Sequence, residues 1–336
     1  MAAWGAFKRM KKGFVLLRFK IQLLSLAIAA ILLYTTASAS EDIADKYPGS
    51  MLYNKPVEVI PNVWSAIGAT AAPNYDNTGH NNNLSFIVTG DGVIVINGGA
   101  AYSLAEALHN EIMQITNQPV NLVINENGQG HSMLGNSYWA KQGIPILAHI
   151  DAANEFKDRG YMLLENMKRY NLEKAEGTFV TAPTETFEQR HVINMGTFRI
   201  EVLHLGPAHG PGDTQVWLPD QGLVIAGDIA FHERMLPLFE DTIAKEWIET
   251  WDDGFEALNA TYVIPGHGHP TNMAQVRRYT RDYLVHLRTQ IGEHIENDGD
   301  LTDAYYVDQT AFKNLDTYQE LAAKNAGRVY EQMEWE

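Results

Sequence analysis

Apolar positions along this chain alternate between two periods. Short β-branched and aromatic runs at residues 56–67 (PVEVIPNVWSAI), 84–89 (LSFIVT), 93–96 (VIVI), 120–124 (VNLVI) and 144–148 predict strands. Asp91-Gly92 joins the second run to the third as a hairpin turn. Apolar residues at helical spacing predict helices over 102–115 and 134–141, and a charged helical stretch follows over 152–170. Strand and helix in alternation predict a layered α/β domain.

The style changes after residue 170. Residues 187–204 predict an antiparallel pair turning at Asn194-Met195-Gly196, and 214–218 with 223–226 predict a hairpin around Pro219-Asp220-Gln221-Gly222. Next come a helix over 244–258, a short strand at 262–264 and a long amphipathic helix over 272–295. One or two more helices complete the chain. Each half offers a sheet followed by helices, as two similar layers packed face to face would.

Composition narrows the chemistry. The 336 residues contain no Cys, which excludes disulfides, a thiolate nucleophile, iron–sulfur clusters and Cys-ligated zinc. Any metal must be held by His, carboxylates or amides. The first 39 residues carry Lys8, Arg9, Lys11, Lys12, Arg18 and Lys20 but no acidic residue, then an apolar run over 23–34 and Ala37-Ser38-Ala39. That order predicts a signal peptide over 1–39, cleaved after Ala39, and a periplasmic or secreted protein; the apolar run is short for a membrane anchor. Without those residues, 19 basic side chains face 41 acidic ones, a balance of −22. So acidic a chain repels nucleic acid and anionic membranes, leaving small molecules as the natural partners.

Three loops, each at the end of an apolar strand, concentrate chemistry. They are GPAHGPGDT with His209, GLVIAGD ending on Asp228, and VIPGHG with His267. Each sets one His or Asp on a Gly/Pro-rich bend, where absent side chains let the backbone approach an ion. One such loop is ordinary turn punctuation; three in this order on successive strand ends are not.

These segments resemble the second half of the metallo-β-lactamase fold superfamily. LSFIVTGDGVIVINGG and VNLVINEN resemble its first half, so the likeness covers about residues 57–270. Among its members the chain is similar to exported zinc metallohydrolases of the quinoprotein-relay type. The resemblance implies an α/β fold, a four-layer αββα sandwich over 45–285 with a C-terminal helical extension over 286–336. It also implies that His209, Asp228 and His267 are metal ligands.

The superfamily's HxHxDH motif is degenerate here. Aligned on Gly135-Asn136, its two leading histidines become Asn127 and Gln129, its aspartate becomes His131, and its last histidine becomes Ser132. Asn127, Gln129 and Ser132 are at best weak or replaced ligand positions. His131, Asp228 and His267 still supply the three protein ligands that a catalytic zinc needs, with His209 as a further ligand or base. The implied cofactor is one Zn2+, with iron as the other metal such donors suit, or no metal at all. In this reading His131 and Asp228 are catalytic, with His131 as general base. The expected activity is hydrolysis of an ester, thioester or amide of a small molecule. The alternative is a catalytically inactive protein that uses the old cleft for binding, in partnership with a periplasmic redox protein. His204, His232, His269 and Asp213 are expected to be structural or rim residues, and 80–83 a polar loop.

Overall fold

The computed structural model describes residues 47–336, so the expected signal segment lies outside the described residues. Two sheets carry the architecture. The first has seven strands in chain order: β1 (Val57–Ile60), β2 (Val63–Ala66), β3 (Leu84–Val88), β4 (Val93–Ile96), β5 (Val120–Ile124), β6 (Ile146–His149) and β7 (Glu185–Phe187). Pairing is antiparallel from β1 to β4 and parallel from β4 to β7. The second has five, in the order β12 (Tyr262–His267), β11 (Leu223–Phe231), β10 (Gln215–Leu218), β9 (Phe198–Leu203), β8 (Arg190–Met195). There only β11 and β12 run parallel.

Strand alternation sorts the core into layers. Ile94 and Ile96 on β4 pack with Ile200, Val202, Ile225 and Ile264 between the sheets. Their neighbours Val93 and Val95 face outward, against α1 (Tyr102–Ile115) and α4 (Ile150–Asn171) through Leu104, Leu108, Ile112, Phe156 and Leu164. Likewise Val224 and Ala226 face away from Ile225 and meet a helical layer containing Trp247, Trp251, Tyr283, Leu287 and Val329. Period two within each strand thus gives four layers, helix–sheet–sheet–helix, as expected.

Elements depart from expectation where tertiary contacts intervene. Residues 56–67 form a hairpin, β1 and β2, that turns at Asn62 with φ 67°. The helix expected over 134–141 begins two residues later, as α3 (Asn136–Lys141), and a short unexpected helix, α2 (Gly130–Met133), precedes it. Of the helix predicted over 244–258 only α5 (Ala244–Thr250) is regular; a π turn and a 3₁₀ turn finish it. The long helix breaks at Thr280 into α6 (Met273–Tyr279) and α7 (Arg281–Glu296). The Thr280 hydroxyl accepts a 2.8 Å hydrogen bond from Phe231 N at the end of β11, fixing the break. Beyond α8 (Leu301–Ala304), α9 (Tyr318–Met333) returns to pack on α7. No helix among the described residues is long and apolar enough to cross a membrane.

Candidate metal centre and cleft

The ends of β5, β11 and β12 open toward one cavity of about 430 Å³. His131, Asp228 and His267 meet there, each offering one ligand atom within 4.8 Å of the others. Asp228 is the hub: its Oδ1 lies 3.2 Å from His267 Nε2 and its Oδ2 3.4 Å from His131 Nε2. Two glycines leave the room this requires. A Cβ on Gly266 would stand 2.2 Å from Asp228 Oδ1, and one on Gly227, which has φ 65°, would stand 2.4 Å from Glu126 Oε2.

His267 Nδ1 lies against the carbonyl oxygen of Asn81 and is best read as donating to it, which turns a bare Nε2 toward Asp228. A nitrogen lone pair then faces a carboxylate oxygen that has no hydrogen-bond partner. Glu126 Oε1, also buried and without such a partner, sits 3.3 Å from His131 Nε2. Burial holds both imidazoles neutral, with His267 lowered to about 4. Burial and the nearby Asp228 charge push Glu126 well above the usual carboxylate range. Burial alone would raise Asp228 as well; positive charge on His267 and His131 draws it below that range, a part a bound cation would take over beside neutral rings. A cation would relieve this crowding of lone pairs. Ligand atoms around a tetrahedral zinc with bonds of about 2.0–2.1 Å stand about 3.3 Å apart; each imidazole nitrogen stands near that spacing from one Asp228 oxygen, a different oxygen for each, and the three ligand atoms lie within 4.8 Å of one another.

His209 lines the same cavity but stands outside the three-residue group. Its Nδ1 is 2.7 Å from Gln129 Nε2. If that amide N–H donates, the ring's own proton is on Nε2, which is buried and without a hydrogen-bond partner. Burial lowers His209 to about 4, so the ring is neutral. Asp213 accepts from His209 N at 2.7 Å and Gly210 N at 3.1 Å, the structural role expected of it. Asn127 donates to Asp228 Oδ2 at 3.1 Å. Ser132, expected as a weak or replaced ligand position, engages its hydroxyl elsewhere: it donates to Asn97 Oδ1 at 2.8 Å and accepts from Glu126 N at 3.1 Å.

The polar loop expected at 80–83 is present, and all four of its residues are buried. Asn83 Nδ2 donates to Pro265 O at 2.8 Å and Gly268 O at 2.7 Å, tying the start of β3 to the loop that carries His267. His232 and His269 are rim residues, with His269 paired to Glu233. His204 bonds Asp213 O and stacks on His149. Sequence reasoning missed Glu126, Arg234 and Glu155. A carboxylate directly before the degenerate motif was a signal for Glu126. Arg234, whose Nη1 is 3.3 Å from His267 Nδ1, and Glu155 on α4 carry none.

Comparison with known proteins agrees with this architecture. The family model of the metallo-beta-lactamase superfamily matches residues 77–267, more than half of the chain. A metallo-beta-lactamase from Pontibacter korlensis is similar at TM-score 0.57 and 18% identity, over 68% of this chain and 98% of that one. The DIM-1 metallo-beta-lactamase is similar at TM-score 0.55 and 15% identity, over 69% and 96%. The stereoselective inverting sec-alkylsulfatase Pisa1 from Pseudomonas sp. is similar at TM-score 0.65 and 15% identity, over 84% of this chain but 52% of that one. No curated protein matches by sequence. The sandwich, the strand-end loops and the matched residues lead to one conclusion: this chain belongs to the metallo-β-lactamase superfamily.

Proposed function

We propose that this protein is a hydrolase that uses one divalent cation, zinc or iron, to cleave an ester, thioester or amide of a small molecule. The observation that carries the reading is the meeting of His131, Asp228 and His267 on the wall of one cavity, with Asp228 Oδ1 lacking a hydrogen-bond partner and the equally partnerless Glu126 Oε1 3.3 Å from His131 Nε2. Those three residues would hold the ion, and Glu126 adds a second carboxylate beside His131. When bound, such a cation supplies Lewis acidity and activates water near neutral pH. Asn81 orients His267, and Asn127 orients Asp228. In the tautomer read from Gln129, His209 on the cavity lining carries a neutral, partnerless Nε2–H, a donor of the kind that stabilises negative charge developing on a substrate oxygen.

Elemental analysis tests this. Purified protein should hold one zinc or iron per chain, lose it in His267→Ala and Asp228→Ala, and keep it in His209→Ala. Ester hydrolysis should fall with the metal. Absence of metal after reconstitution would overturn the reading in favour of a cleft that only binds. The basic-then-apolar start of the chain supports export to the periplasm, which cell fractionation checks.

A further inference from the structure

Helix α4 serves two environments. Ala152, Phe156, Gly160 and Leu164 enter the core, while Glu155, Arg159, Met162, Leu163, Asn166 and Tyr170 line the cavity. The second set recurs at three- and four-residue steps, so one continuous stripe walls the cleft. Its C-terminal part is mainly apolar and continues through Leu134, Pro73 and Phe239. Met162 is 48% exposed and Phe239 42%, although both lie beside a cavity. At the other end stands Glu155. Its Oε1 has only a 3.4 Å contact with Arg159, whose guanidinium is committed at 2.7 Å to Asp241. Its Oε2 is buried and without a hydrogen-bond partner. That oxygen lies near the site, since Cβ atoms on Gly128 and Gly210 would stand 2.6 and 3.7 Å from it.

An apolar wall with one free carboxylate oxygen at its end selects a particular ligand. We propose that this cleft takes an amphiphile, an apolar arm lying along Met162, Leu163 and Tyr170 and a nitrogen that donates from an ammonium or amide N–H to Glu155. As a statement about substrate it rests on the hydrolase reading; as a statement about binding it does not. The cavity volume of about 430 Å³ lies within the range of small-molecule sites. In the metal-free protein, in which the titrations are run, Glu155, Asp228 and Asp241 outnumber Arg159 and Arg234 in the lining, so an anionic headgroup is disfavoured.

The test is calorimetric titration of the whole protein, metal-free and without turnover, using hexyl-, octyl- and decylammonium, the matching carboxylates and N-alkylacetamides, all below their aggregation concentrations. Affinity should rise about fourfold per methylene. Ammonium probes should bind at least about tenfold tighter than carboxylates, with acetamides between. Glu155→Gln should abolish the ammonium preference and keep the chain-length slope, whereas Met162→Gln should flatten the slope and keep the preference. Circular dichroism confirms that both variants fold. A flat chain-length series, equal binding of carboxylates, or an unaltered preference in Glu155→Gln would overturn the proposal. Metal content and ester turnover, measured on the same preparations before the metal is removed, separate the two readings. Amphiphile binding with this pattern but no hydrolysis removes the enzyme and keeps the cleft. Metal-dependent hydrolysis without the pattern does the reverse.

Discussion

Replacing Asn83 by Ala should loosen the loop that carries His267 at a calculable cost. The side chain is buried and makes three hydrogen bonds: Nδ2 to Pro265 O and Gly268 O, and Oδ1 from Gly68 N at 3.2 Å. Truncation leaves two carbonyls and one N–H without those partners. At about 1 kcal/mol or more each, the loss is about 3 kcal/mol. The backbone bond from Asn83 N to Gly266 O remains, so the strand should stay in register. Asn83→Asp should be worse than Ala, because it sets a carboxylate against two carbonyl oxygens. Denaturant unfolding followed by tryptophan fluorescence reads the midpoint and slope, and metal titration reads the site. Expected are a lowered midpoint with unchanged slope and weakened metal binding, in the order wild type, Ala, Asp. Ala within about 0.5 kcal/mol of wild type, or Asp more stable than Ala, would refute the reasoning.

Three further outcomes follow from the geometry. Burial holds His80 at about 4 against an ordinary 6.5, so its contribution to stability is whole above 6.5 and is lost as pH falls from there toward 4. Relative to His80→Asn, wild type should therefore lose about 2 kcal/mol between about pH 7.5 and pH 5 in denaturant melts. Gly266→Ala drives a methyl group into Asp228 Oδ1 and should strip the metal, seen by elemental analysis, even where the protein folds. Thr280→Ala removes the 2.8 Å bond to Phe231 N and should cost about 1 kcal/mol in the same melts, leaving metal content unchanged.

Much of this protein is legible residue by residue. The β-branched apolar runs at 93–96 and 120–124 and the helix-spaced positions over 102–115 coincide with β4, β5 and α1, because these are local patterns. The loops bearing His209, Asp228 and His267 are likewise visible as polar residues on Gly/Pro bends after apolar strands. Other features depend on partners far along the chain. Thr280 breaks a helix because Phe231, 49 residues away, offers it a hydrogen bond. Asn83 is buried because strand ends more than 180 residues away supply its acceptors. Glu126 gains its place beside His131 and Asp228 only when β5 and β11 come together across the two sheets. α4 reads as an ordinary charged helix, since periodicity reports an apolar face without saying whether core or cleft covers it. Sequence alone determined the layers and three of the candidate ligands' positions at strand ends; the packing of sheet on sheet decided which oxygens were left without hydrogen and which helix face became a wall, because those are properties of surfaces that meet only in the folded chain.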